Sequence, residues 1–141
     1  MKPLFQVAKN KDFAERLTRQ NMQAYYQQLG ILWDQAAFDI NWHEFENYEI
    51  AVNRCPVGML RISHDELAYY IRDLQIEPTW QGQGLGSQAL SYAIELARKA
   101  DVRLLRLCVF ETNPALALYQ RKGFRICKTE RYVHYMAREL N

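Results

Sequence analysis

The chain has 141 residues, of which 49% are hydrophobic and 24% charged, and its formal net charge is +2. These ordinary globular values, with only 6 Gly and 4 Pro, exclude intrinsic disorder and long low-complexity linkers. They predict one domain over residues 1–141, and they exclude a uniformly basic nucleic-acid binder, which would carry far more excess charge.

Leu4 to Ala8 reads as a short strand. Asp12 is placed to cap a helix whose apolar positions Phe13, Leu17, Ala24, Tyr25 and Leu29 recur at helical spacing, with Gly30 as its stop. Residues 31–47 mix Trp33, Phe38, Trp42 and Phe45 with acids and predict a short helix and a loop. Tyr48 to Asn53 and Val57 to Ser63 read as a hairpin with Cys55-Pro56 in the turn. Leu67 to Ile76 is the next strand of that meander, entered through His64-Asp65-Glu66. Leu85 to Ala100 is the strongest helix, with Leu85, Ala89, Ala93, Leu96 and Ala97 on one face. Arg103 to Phe110 is a strand. Asn113 caps a further helix with Pro114 at its first position, and Gly123 ends it. Phe124 to Lys128 and Arg131 to Ala137 close the chain as strands. This order predicts an α/β domain with a mixed sheet, not a doubly wound repeat.

Three cysteines, Cys55, Cys108 and Cys127, form no CxxC pair, which argues against a disulfide framework and a zinc site. A reducing, cytoplasmic setting follows. No stretch approaches the length of a membrane span, so no membrane partner is expected.

The most informative stretch is Gln81-Gly82-Gln83-Gly84-Leu85-Gly86-Ser87, between a strand and the strong helix. Alternate glycines let backbone N–H groups turn inward, and the helix start adds its own donors and dipole, so the loop suits a pyrophosphate. The third glycine comes one residue too early for a dinucleotide fingerprint, and no Walker A string is present.

Gln81-Gly82-Gln83-Gly84-Leu85-Gly86 resembles the acetyl-coenzyme A loop of the GNAT superfamily of N-acetyltransferases, with Gln81, Gly84 and Gly86 on the family pattern. Asn113-Pro114-Ala115-Leu116-Ala117-Leu118-Tyr119-Gln120-Arg121-Lys122-Gly123-Phe124 resembles a second family segment, with Ala117 one residue later than the commonest spacing. The resemblance covers residues 48–137. It implies a GNAT-like fold: a mostly antiparallel central sheet with one splayed parallel strand pair and flanking helices. It also implies acetyl-CoA as co-substrate, no metal, and direct transfer to a primary amine in a ternary complex. The pantetheine arm would lie along Leu74, Gln75 and Ile76, with a backbone N–H there facing the thioester oxygen. The pyrophosphate would take residues 82–87. Asn113 would reach the pantetheine, Lys122 a coenzyme phosphate, and Ala117 would face the coenzyme. Tyr119 would protonate the departing thiolate. The general base is left unassigned, Asp73 and Glu77 being the carboxylates on that strand and at its end; His134 reads as structural.

The charge is uneven. Residues 1–97 carry 8 Lys/Arg and 12 Asp/Glu, and residues 98–141 carry 10 and 4. Within residues 34–49, acids interleave with aromatics and no Lys or Arg occurs. The family lines its acceptor pocket from this region, which points to a cationic small-molecule amine held by Trp33, Trp42, Glu44, Glu46 and Tyr70. Acetylation of a protein lysine or N-terminus, and a non-catalytic acyl-CoA-binding domain, are the alternatives. So short a chain draws added specificity from its N-terminal residues or from a second subunit, as in a homodimer.

Overall fold

A computed structural model describes residues 2–140. The elements are β1 (Leu4–Val7), α1 (Lys11–Leu29), α2 (Gln35–Glu44), β2 (Glu46–Val52), β3 (Cys55–His64), β4 (Ala68–Ile76), a 3-10 turn (Pro78–Trp80), α3 (Leu85–Lys99), β5 (Leu104–Phe110), α4 (Ala115–Arg121), β6 (Arg125–Glu130) and β7 (Val133–Glu139). The strands form one mixed sheet in the order β1-β2-β3-β4-β5-β7-β6. β1 pairs antiparallel with β2, and β7 antiparallel with both β5 and β6. β4 and β5 are parallel. Their ladder runs from Ala68–Leu104 to Ile71–Leu107, while β4 continues to Ile76 and β5 to Phe110. The expected mixed α/β sheet with one parallel pair is therefore present.

Two compact units divide the chain. The first takes the residues up to Arg61 together with Asp73–Leu85; the second takes Ile62–Arg72 and the residues from Gly86 onward.

In the first unit, Ala14, Leu17, Phe38 and Met59 form a buried cluster, with Phe13, Trp33 and Trp42 packed against it. Asn10, not Asp12, caps α1: its backbone is extended and its side chain accepts from the Phe13 N–H at 3.0 Å. Asp12 lies inside the first turn, where its charge meets the positive end of the helix. Gly30 ends the helix as expected, at φ 69°. The ambiguous segment 31–47 contains α2, capped by Asp34 on the Ala37 N–H, and β2 already begins at Glu46. The hairpin turn is Asn53-Arg54, not Cys55-Pro56. Both residues have positive φ, 51° and 67°, the geometry of a two-residue turn that matches strand twist. Cys55 and Pro56 start β3 instead.

An arginine in the left-handed region carries steric strain that glycine lacks. Arg54→Gly should therefore raise stability by about 0.5–1 kcal/mol after glycine's entropy loss, seen as a melting temperature roughly 2–4 °C higher.

In the second unit, α3 buries Ala89, Leu90, Ala93, Ile94 and Ala97. Leu90 and Ile94 belong to the face, while Leu96 is half-buried. Leu105, Leu107 and Val109 alternate as the buried positions of β5. The turn between β6 and β7 repeats the device of the first hairpin, with Arg131 and Tyr132 at φ 49° and 69°. β6 is exposed along its length and shifts register between Ile126 and Lys128. α4 is shorter than predicted, Ala115–Arg121, although Asn113 Oδ1 does accept from the Ala115 N–H at 2.9 Å.

Candidate active site

In the first unit, β4 ends at Ile76 and the chain passes through the 3-10 turn into the glycine loop. Gly82 and Gly84 sit at φ 75° and 86°, and a Cβ on either would meet no atom within 4 Å. The space beside these two residues is open, as an anion cradle built from backbone N–H groups requires. Leu85 is buried and opens α3. Gln83 Nε2 donates to the Thr79 carbonyl at 3.3 Å. Gln81 Nε2 donates to the Ile76 carbonyl at 3.0 Å, tying the loop back to the strand.

Gln75 turns a buried side chain away from solvent. Its Nε2 donates to Asp73 Oδ1 at 2.7 Å and its Oε1 accepts from Asn21 Nδ2 at 3.1 Å. Thr18 Oγ1 donates to Asp73 Oδ2 at 2.9 Å, and Arg61 Nη1 stands 3.8 Å from that oxygen. Burial pushes the Asp73 carboxyl above the usual carboxylate range; the Gln75 hydrogen bond, Arg61 and Thr18 pull against it. Glu77 pairs with Arg16. Both carboxylates considered for base work are thus engaged.

Arg61 lies among the aromatic rings of the expected acceptor region. Its guanidinium lies 4.7 Å from the Phe38 ring centroid, 5.2 Å from that of Phe45 and 5.9 Å from that of Trp42. Its Nε donates to Asn47 Oδ1 at 2.9 Å, and its Nη2 is buried with no hydrogen-bond partner among the described residues. These aromatic faces, expected to receive a cationic ligand, hold a cation of the chain's own. The acids nearby are also partly used: Asp34 caps α2, and Asp39 binds Lys11 and Gln35. Glu44 and Glu46 are exposed.

A groove of about 300 Å³ opens along α1, lined by Arg19, Gln23, Tyr26, Gln27, Ile31 and Trp33 among others. Trp33 is the expected acceptor residue that lines it; Trp42, Glu44, Glu46 and Tyr70 do not. Burial, and then the negative charge of Asp73, push the Tyr26 phenol above its ordinary pKa.

In the second unit, Tyr119 is 8% exposed on α4, with its ring edge-on to Phe124 at 6.1 Å. Asn113 spends its side-chain oxygen on the start of α4, Ala117 lies within that helix, and Lys122 Nζ donates to Ser91 Oγ at 2.8 Å. Ser87 is half-buried in the first turn of α3. Gly86 lets α3 approach α4: a Cβ there would stand 3.0 Å from Leu118 Cδ2. Tyr70 lies near the start of β4, its hydroxyl donating to Asp65 Oδ2 at 3.1 Å. His134 meets Thr129 across the β6–β7 pair at 2.7 Å.

Thr18, Asn21 and Arg61 were not singled out by the sequence. The available signal was a polar pair, Thr18 and Asn21, on the α1 stripe that also carries Ala14 and Leu17.

The family model for the acetyltransferase (GNAT) family matches residues 10–124. The chain belongs to the GNAT acetyltransferase family. An uncharacterised N-acetyltransferase of Methanocaldococcus jannaschii is 33% identical over 82 residues, covering 52% of this GNAT chain and 36% of that relative. The chain thus spans about a third of the length of this curated relative. The fold is similar to the crystal structure of Ard1 from Thermoplasma volcanium, with a TM-score of 0.81 and 16% identity over 100% of this chain and 99% of that one. It is also similar to a GNAT family acetyltransferase from Elizabethkingia anophelis with acetyl-CoA bound, with a TM-score of 0.68 and 21% identity over 76% of this chain and 84% of that one. Among the described residues of this GNAT family member, no helix is long and apolar enough to cross a membrane, and no three His, Cys, Asp or Glu side chains gather as a metal site.

Proposed function

We propose that this GNAT N-acetyltransferase moves the acetyl group of acetyl-CoA directly to the primary amine of a small molecule. It does so in a ternary complex, as one domain over residues 1–141. The observation that carries the reading is the loop after β4, with Gly82 and Gly84 in left-handed conformation beside open space and α3 starting at once. Backbone N–H groups of residues 82–87 take the pyrophosphate. The strand Leu74-Gln75-Ile76 pairs with the pantetheine arm and offers a backbone N–H to the thioester oxygen, where negative charge develops as the amine attacks. Attack forms the C–N bond, collapse of the adduct breaks the C–S bond, and the amine sheds a proton. Tyr119 gives its phenolic proton to the leaving sulfur and regains one from solvent, which takes the proton that the amine sheds. Asn113, Ala117 and Lys122 line the coenzyme's path, with Gln81 holding the loop.

A cationic amine is supported by exposed Glu44. Phe38, Trp42 and Phe45 give it no support, because they surround Arg61. The protein acts in the cytoplasm, alone or as a homodimer.

Thiol release from acetyl-CoA, measured across amines, polyamines, amino acids and lysine peptides, tests the assignment. A small amine should stimulate it, and Tyr119→Phe should lower kcat about a hundredfold, with little change in the melting temperature. Full turnover by Tyr119→Phe would reject the proton-donor role. Stimulation by peptides alone would move the acceptor to proteins, and no stimulation together with no coenzyme A binding would sink the assignment.

A further inference from the structure

Behind Ile76 runs a directed chain of hydrogen bonds that none of the reaction steps uses. Thr18 and Asn21 stand one turn apart on α1. Thr18 Oγ1 and Gln75 Nε2 both donate to Asp73, at 2.9 and 2.7 Å. Gln75 Oε1 accepts from Asn21 Nδ2 at 3.1 Å, and the same Nδ2 donates to the Ile76 carbonyl at 3.0 Å. Gln81 Nε2 donates to that carbonyl as well, at 3.0 Å.

The direction of this chain is forced. An ionised carboxylate only accepts hydrogen bonds, so Gln75 must turn its NH2 toward Asp73 and its oxygen toward Asn21. Asn21 must then present its own NH2 to Gln75, and with it to Ile76. Turning any one amide over would set acceptor against acceptor. Asp73 thereby fixes the orientation of an amide it does not touch.

The Ile76 carbonyl belongs to the peptide by which the chain leaves β4 for the glycine loop. Asn21 and Gln81 hold that one oxygen from α1 and from the loop. The strand end and the loop start are thus tied to a common point. A ligand that lies along the strand and ends in the loop is bound well only if the spacing between the two is kept.

We propose that Asn21 is a positioning residue for acetyl-CoA: oriented through Gln75 by Asp73, it fixes the Ile76 carbonyl and so the spacing of strand and loop. The proposal rests on the acetyl-CoA reading above. Asn21→Leu keeps the size of the side chain and removes the donor; Gln75→Met removes the acceptor that orients Asn21. In the full chain, the coenzyme A dissociation constant from calorimetry and the KM for acetyl-CoA should rise together in Asn21→Leu. The rise should be roughly tenfold, with kcat at saturation changed by less than about twofold. Gln75→Met should shift both in the same direction by less. The double variant should be no worse than Asn21→Leu, because the residues act in one relay. A lower melting temperature with an unchanged dissociation constant would show that Asn21 serves folding alone and would overturn the proposal. If Asn21→Leu does not fold, Gln75→Met decides by the same criterion. A wild-type protein that binds no coenzyme A would instead overturn the acetyl-CoA reading itself.

Discussion

Removal of the Asp73 carboxylate should destabilise the protein by about 3–5 kcal/mol, the range for breaking a largely buried ion pair from one side. In Asp73→Ala, Arg61 keeps its charge in a site where its side chain is 6% exposed. Asn47 and three aromatic rings remain to it, which places the expected loss near the lower end of that range. Thr18 and Gln75 each lose an acceptor in the same substitution. A denaturant midpoint would measure the effect, and a loss below about 1 kcal/mol would show that ring contacts alone neutralise Arg61. The wild type should also respond to pH in an unusual sense. Asp73 has a raised pKa when folded, so the native state holds more protons than the unfolded chain between the ordinary aspartate value and the raised one. Across that window stability rises as pH falls. Asp39 and Asp65 have lowered pKa values, and their contributions are present above the ordinary value and lost below it. Asp73→Asn should flatten the rise on mild acidification and leave the loss at lower pH in place.

Gly58→Val should cost about 3 kcal/mol, a fall in melting temperature on the order of 10 °C, and should weaken coenzyme A binding together with stability. Gly58 lies in β3, and a Cβ there would stand 2.6 Å from the Gln75 carbonyl oxygen, 2.9 Å from Ile76 Cδ1 and 3.2 Å from Ile50 Cδ1. The two isoleucine tips can rotate. The carbonyl oxygen is main chain, so relief requires β4 to move away from β3 at Gln75-Ile76, the stretch assigned to the pantetheine arm. The Glu77 N–H to Val57 carbonyl bond, 2.8 Å, would be strained by the same movement. Thermal melts with and without coenzyme A would report both effects. A valine variant with wild-type stability and an undiminished coenzyme A shift would mean that the strands part freely.

What the sequence made legible was local. The glycine loop, the helix after it and the Asn113-to-Phe124 segment are each written in neighbouring residues; the loop and its helix follow β4 as expected, and the third segment forms a shorter helix than expected. Turn and cap positions slipped where two residues competed for one role: Asn10 against Asp12, and Asn53-Arg54 against Cys55-Pro56. Arginine at positive φ is uncommon, so a turn built on Arg54 leaves no compositional trace. The largest miss was Arg61. An acidic, aromatic segment with no basic residue reads as a vacant cation site, and only the packing of α2 against β3 shows the Arg61 guanidinium beside its rings. Thr18 and Asn21 escaped for a related reason: apolar periodicity weighs hydrophobic side chains and passes over polar ones whose partners lie more than 50 residues away.

β6 is an outermost strand of the sheet, exposed along its length, with Arg125, Lys128 and Glu130 on it and a register shift between Ile126 and Lys128. Charge and irregularity of that kind discourage the addition of a foreign strand. At the opposite margin β1 is regular, only four residues long, and exposes Leu4 and Val7. The two margins are therefore unequal as templates for aggregation. Ribbon-like growth by strand addition has a blocked end at β6 and a short, sticky one at β1, and a charge introduced at Val7 would be the economical way to close it.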